Sequence, residues 1–308
     1  MINIYEYLLS KSTQITPTIK AKDATLHKIV HKEIEDKGLD CNLNHIDVSK
    51  CTNFNSLFEG THGFNGIVSE WDVSNAVSME KMFASTDFQG DLSEWNVEKV
   101  ENMENMFAGC EHFNSDISGW KTKMLTKARN MFDSCFEFDQ DLSKWDVSKI
   151  TFTACMFKNC YKFNHNVGNF NFYSADELSA VFKNCKDFDQ DVSNLLKGKL
   201  KVKISHLFLG CENFTGKGLD QWNTKALNYA DKAFQNCMNL DADISEWDMH
   251  ELMSAESMFE GCKSLTADCS KWTFKQNAVY WGNYSKMFMN SGVPMNKRPE
   301  MVRSKNSK

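Results

Sequence analysis

A phenylalanine, usually preceded by methionine, returns through this 308-residue chain at an almost constant interval, and no other feature restricts the fold as tightly. It stands at Phe58, Phe83, Phe107, Phe132, Phe157, Phe182, Phe208, Phe234, Phe259 and Phe288, in steps of 25, 24, 25, 25, 25, 26, 26, 25 and 29 residues. Nine intervals of this regularity define a tandem array. In such arrays a single unit buries little by itself, and stability is a sum of nearest-neighbour interfaces.

The unit has an internal phase. In the third copy Met103, Met106, Phe107 and Cys110 fall at i, i+3, i+4 and i+7, which predicts a short helical turn. The period then changes. Phe113, Ser115 and Ile117 alternate, which predicts a short strand with those side chains on one side. A Trp closes most copies (Trp71, Trp95, Trp120, Trp145, Trp222, Trp247, Trp272), followed by Asp-Val-Ser or a variant of it that starts the next unit. Strands stacked along the axis lie about 4.8 Å apart. Helical turns are wider, at about 8–10 Å, so the stack is expected to curve. The expected fold class is α/β, a curved leucine-rich-repeat-like solenoid of about ten coils. Each coil carries one helical turn and one strand of a parallel sheet.

Recurring Met-Phe, then Cys, then Phe-Asn-x-Asp-[Leu/Ile]-Ser-x-Trp-Asp-Val-Ser resembles the repeats of BspA-like leucine-rich-repeat surface proteins. It is closest to their Met-Phe/Trp subgroup, found in bacterial surface lipoproteins and some phage and viral genomes. The resemblance runs from about Asn44 to Met289. It implies a solenoid and, from the better-known relatives, adhesion or protein binding. Residues Met1–Tyr7 do not read as the lipoprotein or secretion signal of those relatives, so none is expected here. Phe170 and Leu195 replace the Trp in two copies, and Lys197, Lys199, Lys201 and Lys203 replace the acidic turn of another.

Three segments are expected: an N-terminal helical cap over 1–43, the repeats over 44–292, and a basic, mobile tail over 293–308. Within the cap, Asp23 reads as the N-cap and Gly38 as the stop of a helix whose Leu26, Ile29, Val30 and Ile34 share one side. A further short helix is expected in residues 1–10, linked through Thr16-Pro17-Thr18.

Most of the chemistry-bearing residues are periodic. Seven of eleven Cys (Cys110, Cys135, Cys160, Cys185, Cys211, Cys237, Cys262) recur with the repeat and read as buried core thiols, too far apart for disulfides if they sit on helical turns. Asp139 with Asp141, Asp189 with Asp191 and Asp241 with Asp243 look like acid pairs. Their recurrence marks a fold feature such as an Asx turn, with calcium bridging as the rival. His27 and His31 have the i, i+4 spacing of two zinc ligands but lack the Glu of a metalloprotease motif. No phosphate loop or nucleophile elbow occurs. The net charge of −6 gives no reason to expect nucleic-acid binding. No apolar run reaches 18 residues, so no membrane insertion is expected.

The expected function is therefore a non-enzymatic, protein-binding or structural scaffold without a cofactor. Its location is expected to be cytoplasmic, or in a phage or viral particle as a structural component. A metal-dependent hydrolase is the reading from another class. Partner contacts are expected along the outward row containing Asn114, Ser115, Gln140, Gln190, Glu70, Glu94 and Glu246. The non-periodic Lys197, Lys199, Lys201 and Lys203 are expected to contribute as well.

Overall fold

The computed structural model describes residues 19–274 and 284–303; the expected helix in residues 1–10 and its Thr16–Thr18 link lie outside them. The described chain opens with β1 (Ile19–Lys20), α1 (Asp23–Lys37) and β2 (Ile46–Asp47), where β1 and β2 pair in parallel. The repeats follow, almost free of regular secondary structure. Two short parallel strands, β3 (Val202–Lys203) and β4 (Leu227–Tyr229), and a last helical turn, α2 (Glu300–Arg303), complete the longer elements.

The Met-x-x-Met-Phe-x-x-Cys segment is not helical. Two residues before every anchor and two residues after it, the backbone is left-handed: Asn105 and Gly109 around Phe107, Asn130 and Ser134 around Phe132, Lys286 and Asn290 around Phe288. All ten anchors are flanked in this way. Two left-handed residues four apart interrupt a helix and fold the segment into successive turns. Met106 donates its N–H to the Met103 carbonyl, Ala108 to Asn105 and Cys110 to Phe107. Side chains three and four residues apart still share a side, which is why the pattern imitates a helix.

The remaining backbone groups join one repeat to the next. Met103, Asn105, Phe107 and Gly109 donate their N–H groups to the carbonyls of Lys127, Arg129, Met131 and Asp133, at 2.8–3.0 Å. The same register links the repeat of Phe58 to that of Phe83, and recurs up to Phe259, whose N–H reaches the Met287 carbonyl. An ordinary parallel strand alternates N–H and C=O along each edge. Here, with left-handed residues four apart, the N–H groups of alternate residues point toward the C-terminal end of the stack and the intervening carbonyls toward the N-terminal end.

The strand expected over Phe113–Ile117 is absent. Backbone bridging instead falls five residues before the anchor, in a parallel row through Asn53, Ser78, Asn102, Lys127 and Phe152. The anchor segment is therefore stacked at strand spacing, about 4.8 Å, and not at the wider spacing of helices.

Side chains repeat the stacking inside. Successive anchor rings lie 5.2–5.7 Å apart and nearly parallel. A second Phe row, from Phe64 to Phe214, stacks at 5.9–6.5 Å. Among the described residues each Trp indole donates to a carbonyl of the preceding repeat, as Trp120 does to Leu92 (3.0 Å) and Trp145 to Ile117 (3.1 Å). Burial of these rings supplies the apolar stabilisation, and the indole bonds fix their register.

Helix α1 closes the N-terminal end with Leu26, Val30 and Ile34 buried, while Ile29 is partly covered. It starts one residue earlier than expected, with Lys22 at the N-cap position. The Asp23 carboxylate faces the first repeat, accepting from Thr52 N–H (2.8 Å), Thr52 Oγ1 (2.8 Å) and Asn53 N–H (3.2 Å). At the other end, residues 293–303 are packed onto the stack: Val293 and Val302 are buried, and the Lys297 carbonyl accepts from Cys269 N–H. Residues 293–303 are therefore not the mobile tail expected there, and 304–308 lie outside the described residues.

Candidate interaction surface

Each periodic residue with reactive chemistry has a structural task. The seven row cysteines are free and buried, and each Sγ donates to the anchor carbonyl of the preceding repeat, as Cys135 does to Phe107 (3.1 Å) and Cys160 to Phe132 (3.1 Å). Helical spacing does not separate these thiols, since the repeats stack more closely than that. Burial raises their pKa, to about 11 for Cys110 and about 12 for Cys262, so they stay protonated donors.

The acid pairs divide into two roles. Asp72, Asp91, Asp116, Asp141, Asp191, Asp243 and Asp268 each accept the N–H of the Ser two residues on, at 2.8–3.0 Å, forming Asx turns. Asp139 and Asp189 instead accept from the next repeat, from Asn164 N–H (3.0 Å) and Thr215 N–H (2.9 Å). The His27 and His31 rings are stacked with centroids 5.9 Å apart. His27 Nε2 donates to the Asn55 carbonyl at 3.0 Å, one of the acceptors that the first repeat presents to α1. Among the described residues no group of three or more His, Cys, Asp or Glu is placed to hold a metal ion.

The expected contact row is also largely occupied. Asn114 Oδ1 accepts from Asp139 N–H (2.9 Å) and from Gln140 Nε2 (2.8 Å). Ser115 Oγ donates to the Gly90 carbonyl (2.6 Å), and Gln190 Nε2 donates to Asn164 O and Oδ1, both at 2.9 Å. A side-chain ladder thus does here what a backbone strand was expected to do. Glu70, Glu94 and Glu246 remain exposed beside it.

The lysine-rich repeat separates into two kinds of residue. Lys199 is buried, and its ammonium donates to the carbonyls of Phe172, Tyr173 and Ala175. Lys197, Lys201 and Lys203 are exposed. Between them Leu200 is 95 % exposed. Tyr173 in the preceding repeat is 63 % exposed, and Phe152 and Met124 in the two before that are also exposed. These four apolar side chains stand five to nine residues before their anchors, on four consecutive repeats. Cations border them: Lys127 Nζ is 6.0 Å from the Phe152 ring centroid, and Lys149 Nζ is 3.8 Å from Met124 Sδ. The apolar members went unnoticed in the sequence, although they break the period and could have been found on that account.

A stack of near-identical units, each bonded mainly to its neighbours, defines the class: a tandem-repeat protein. Residues 28–135, 84–195 and 199–298 match the family model described as "Mycoplasma protein of unknown function, DUF285", and the chain belongs to that family. Each match spans four anchors, so the family unit is a group of repeats. No curated protein and no solved structure matches the chain.

Proposed function

We propose that this chain is a non-enzymatic, protein-binding scaffold of the solenoid type, with Met124, Phe152, Tyr173 and Leu200 as the centre of its contact surface. The observation that carries the reading is Leu200 at 95 % exposure and Tyr173 at 63 %, the two most exposed large apolar side chains among the described residues, on neighbouring repeats. Exposed large apolar side chains rimmed by polar residues are a usual mark of a binding site. Lysines outnumber acids on the rim (Lys127, Lys149, Lys197, Lys201 and Lys203 against Asp176 and Glu177), so the partner is a protein surface with an apolar centre and a mainly acidic border. The periodic Cys, Asp, Trp and His27 are engaged in holding repeats together, which supports a scaffold over a hydrolase.

A photo-crosslinking residue at position 173 in the purified full chain tests this. A protein captured there should bind the wild-type chain in isolation, and Tyr173→Ser with Leu200→Ser should weaken that binding at least tenfold. Glu94→Ala, away from the patch, should leave it unchanged. Binding unaffected by the double substitution would refute the assignment.

A further inference from the structure

Around each anchor, the positions three and two before it and one and two after it are mostly half-buried or exposed, on the outer side of the buried rows. The four repeats from Phe58 to Phe132 each place an acid at one of these positions: Glu59, Glu80, Glu104 and Asp133. The repeats of Phe234 and Phe259 do the same with Asp231 and Glu256. The three repeats between them, those of Phe157, Phe182 and Phe208, place no acid there and carry Lys158, Lys183 and His206 instead. In a chain of net charge −6 this is a local reversal of sign.

Lys158 is paired with Asp133 at 2.9 Å. Lys183 and His206 are half-buried, as is Lys232 at the position matching His206 in the next repeat. None of these three side chains forms a hydrogen bond or ion pair among the described residues. The backbones that carry them are joined directly. Asn184 N–H donates to the Leu209 carbonyl (2.7 Å), and His206 N–H to the Asp231 carbonyl (2.8 Å). Burial, then Lys183 from the repeat before and Lys232 from the repeat after, lower the His206 pKa, while Asp231 acts the other way. The Asp231 carboxylate is itself engaged, accepting from Ser254 Oγ and from Glu256 N–H (2.8 Å). Glu177 stands apart, in the bridged row beside Lys203. Ser179 and Ser205, each three residues before its anchor, have hydroxyls without a hydrogen-bond partner among the described residues.

We propose that Lys183, His206 and Lys232, with the Ser179 and Ser205 hydroxyls, bind a doubly charged tetrahedral oxyanion, a sulfate or phosphate group. Three successive repeats at strand spacing, about 4.8 Å, bring these donors within reach of one such group. Two lysines without carboxylate partners match its two charges, and hydrogen bonds between ionised groups are the strong ones. Hydroxyls and a protonated imidazole supply further donors to its remaining oxygens. A bound anion would relieve the repulsion among the three cations and favour the charged form of His206, so the site is pH-dependent. It lies on a different part of the surface from the apolar patch and does not rest on that reading. The group is either a free anion or the phosphorylated side chain of a partner protein.

NMR titration of the full chain tests this, with the His206 ring protons, assigned through His206→Gln, as the readout. Sodium sulfate, inorganic phosphate and a phosphoserine peptide are the probes, and sodium chloride at equal ionic strength is the control. Sulfate should shift the ring signals saturably and raise the His206 pKa. Its charge is constant across the neutral range, so its affinity should increase as pH falls through that pKa. Lys183→Gln, and separately Lys232→Gln, should weaken sulfate binding at least fivefold and raise the His206 pKa of the anion-free protein. Lys183→Arg should restore most of the affinity, and Lys144→Gln, exposed and outside the site, should change nothing. Tighter binding of the phosphopeptide than of phosphate would assign the group to a partner protein, and the reverse to a free anion; either result upholds the site. No saturable shift, an equal response to chloride, or equal losses in Lys144→Gln and Lys183→Gln would each overturn it.

Discussion

At Gly109 the backbone takes φ of +76°, and a methyl group there would sit 3.3 Å from Ser85 Oγ of the preceding repeat. The left-handed region costs an L-residue about 1–2 kcal/mol. The position two after the anchor is accordingly filled by Gly, Asn or Ser in all ten repeats. Gly109→Ala should lower stability by about that amount, 1–2 kcal/mol. Ser85→Gly, at φ 57° with an exposed side chain, should leave stability unchanged or raise it slightly. Urea denaturation of the two variants checks both, and equal losses would show that conformation is not what selects these residues. The cysteines make a second residue-scale case. The Phe157 carbonyl accepts from Cys160 N–H and from Cys185 Sγ. Cys185→Ala removes the second donor from a fully buried site, so a loss of about 1–3 kcal/mol is expected. Native alkylation at pH 8 should spare the row cysteines and reach half-exposed Cys155 first.

At the scale of elements, α1 was legible because Leu26, Val30 and Ile34 carry a true helical period and Gly38 ends it. Its first residue was not, because Asp23 has the right chemistry for a cap but spends its carboxylate on Thr52 and Asn53. The anchor segment was misread for a related reason. Overlapping turns with a left-handed residue every fourth position place side chains as a helix does, so hydrophobic spacing does not distinguish the two. The Gly, Asn and Ser two residues after each anchor carried the missing information, since a helix has no use for them at a fixed interior position. The apolar patch left a weaker trace: Leu200 lies within a run of lysines that drew the eye to charge. Helix α1 also yields a prediction. Val30→Asp puts a carboxylate on a fully buried position over the first repeat. Hydrogen exchange should then show the amides of Ser56, Phe58 and Gly60 losing protection while those of Asn159 and Asn184 keep theirs. Uniform loss along the chain would mean that the repeats unfold as one unit, contrary to nearest-neighbour coupling.

The whole molecule repeats its electrostatics as regularly as its core, so small effects at one turn add along the stack. Hydrogen bonds from Ser118 lower the pKa of Asp116, and those from Ser143 and Ser245 do the same for Asp141 and Asp243. Ser148 acts likewise on Asp146, and Ser270 on Asp268. A carboxylate whose folded pKa lies below its unfolded value of about 3.9 stabilises the fold above that value, and the contribution disappears as pH falls through the folded pKa. Each group is exposed and its share is small, but all act in the same direction and in the same pH window. Urea midpoints should therefore be level near pH 7 and fall steeply below about pH 4. Asn96 and Asn166 make the same turn with an uncharged Oδ1, accepting from Glu98 at 3.1 Å and Gly168 at 2.7 Å. The triple variant Asp116→Asn, Asp141→Asn, Asp243→Asn should keep the turns, lose part of the acid sensitivity and outlast the wild-type chain at pH 3, with no gain at pH 7. An unchanged slope between pH 5 and pH 3 would place the acid response in other carboxylates, with Asp189 the first to examine. Burial opposes its ionisation, but Lys217 at 2.6 Å and Thr215 hold its pKa down.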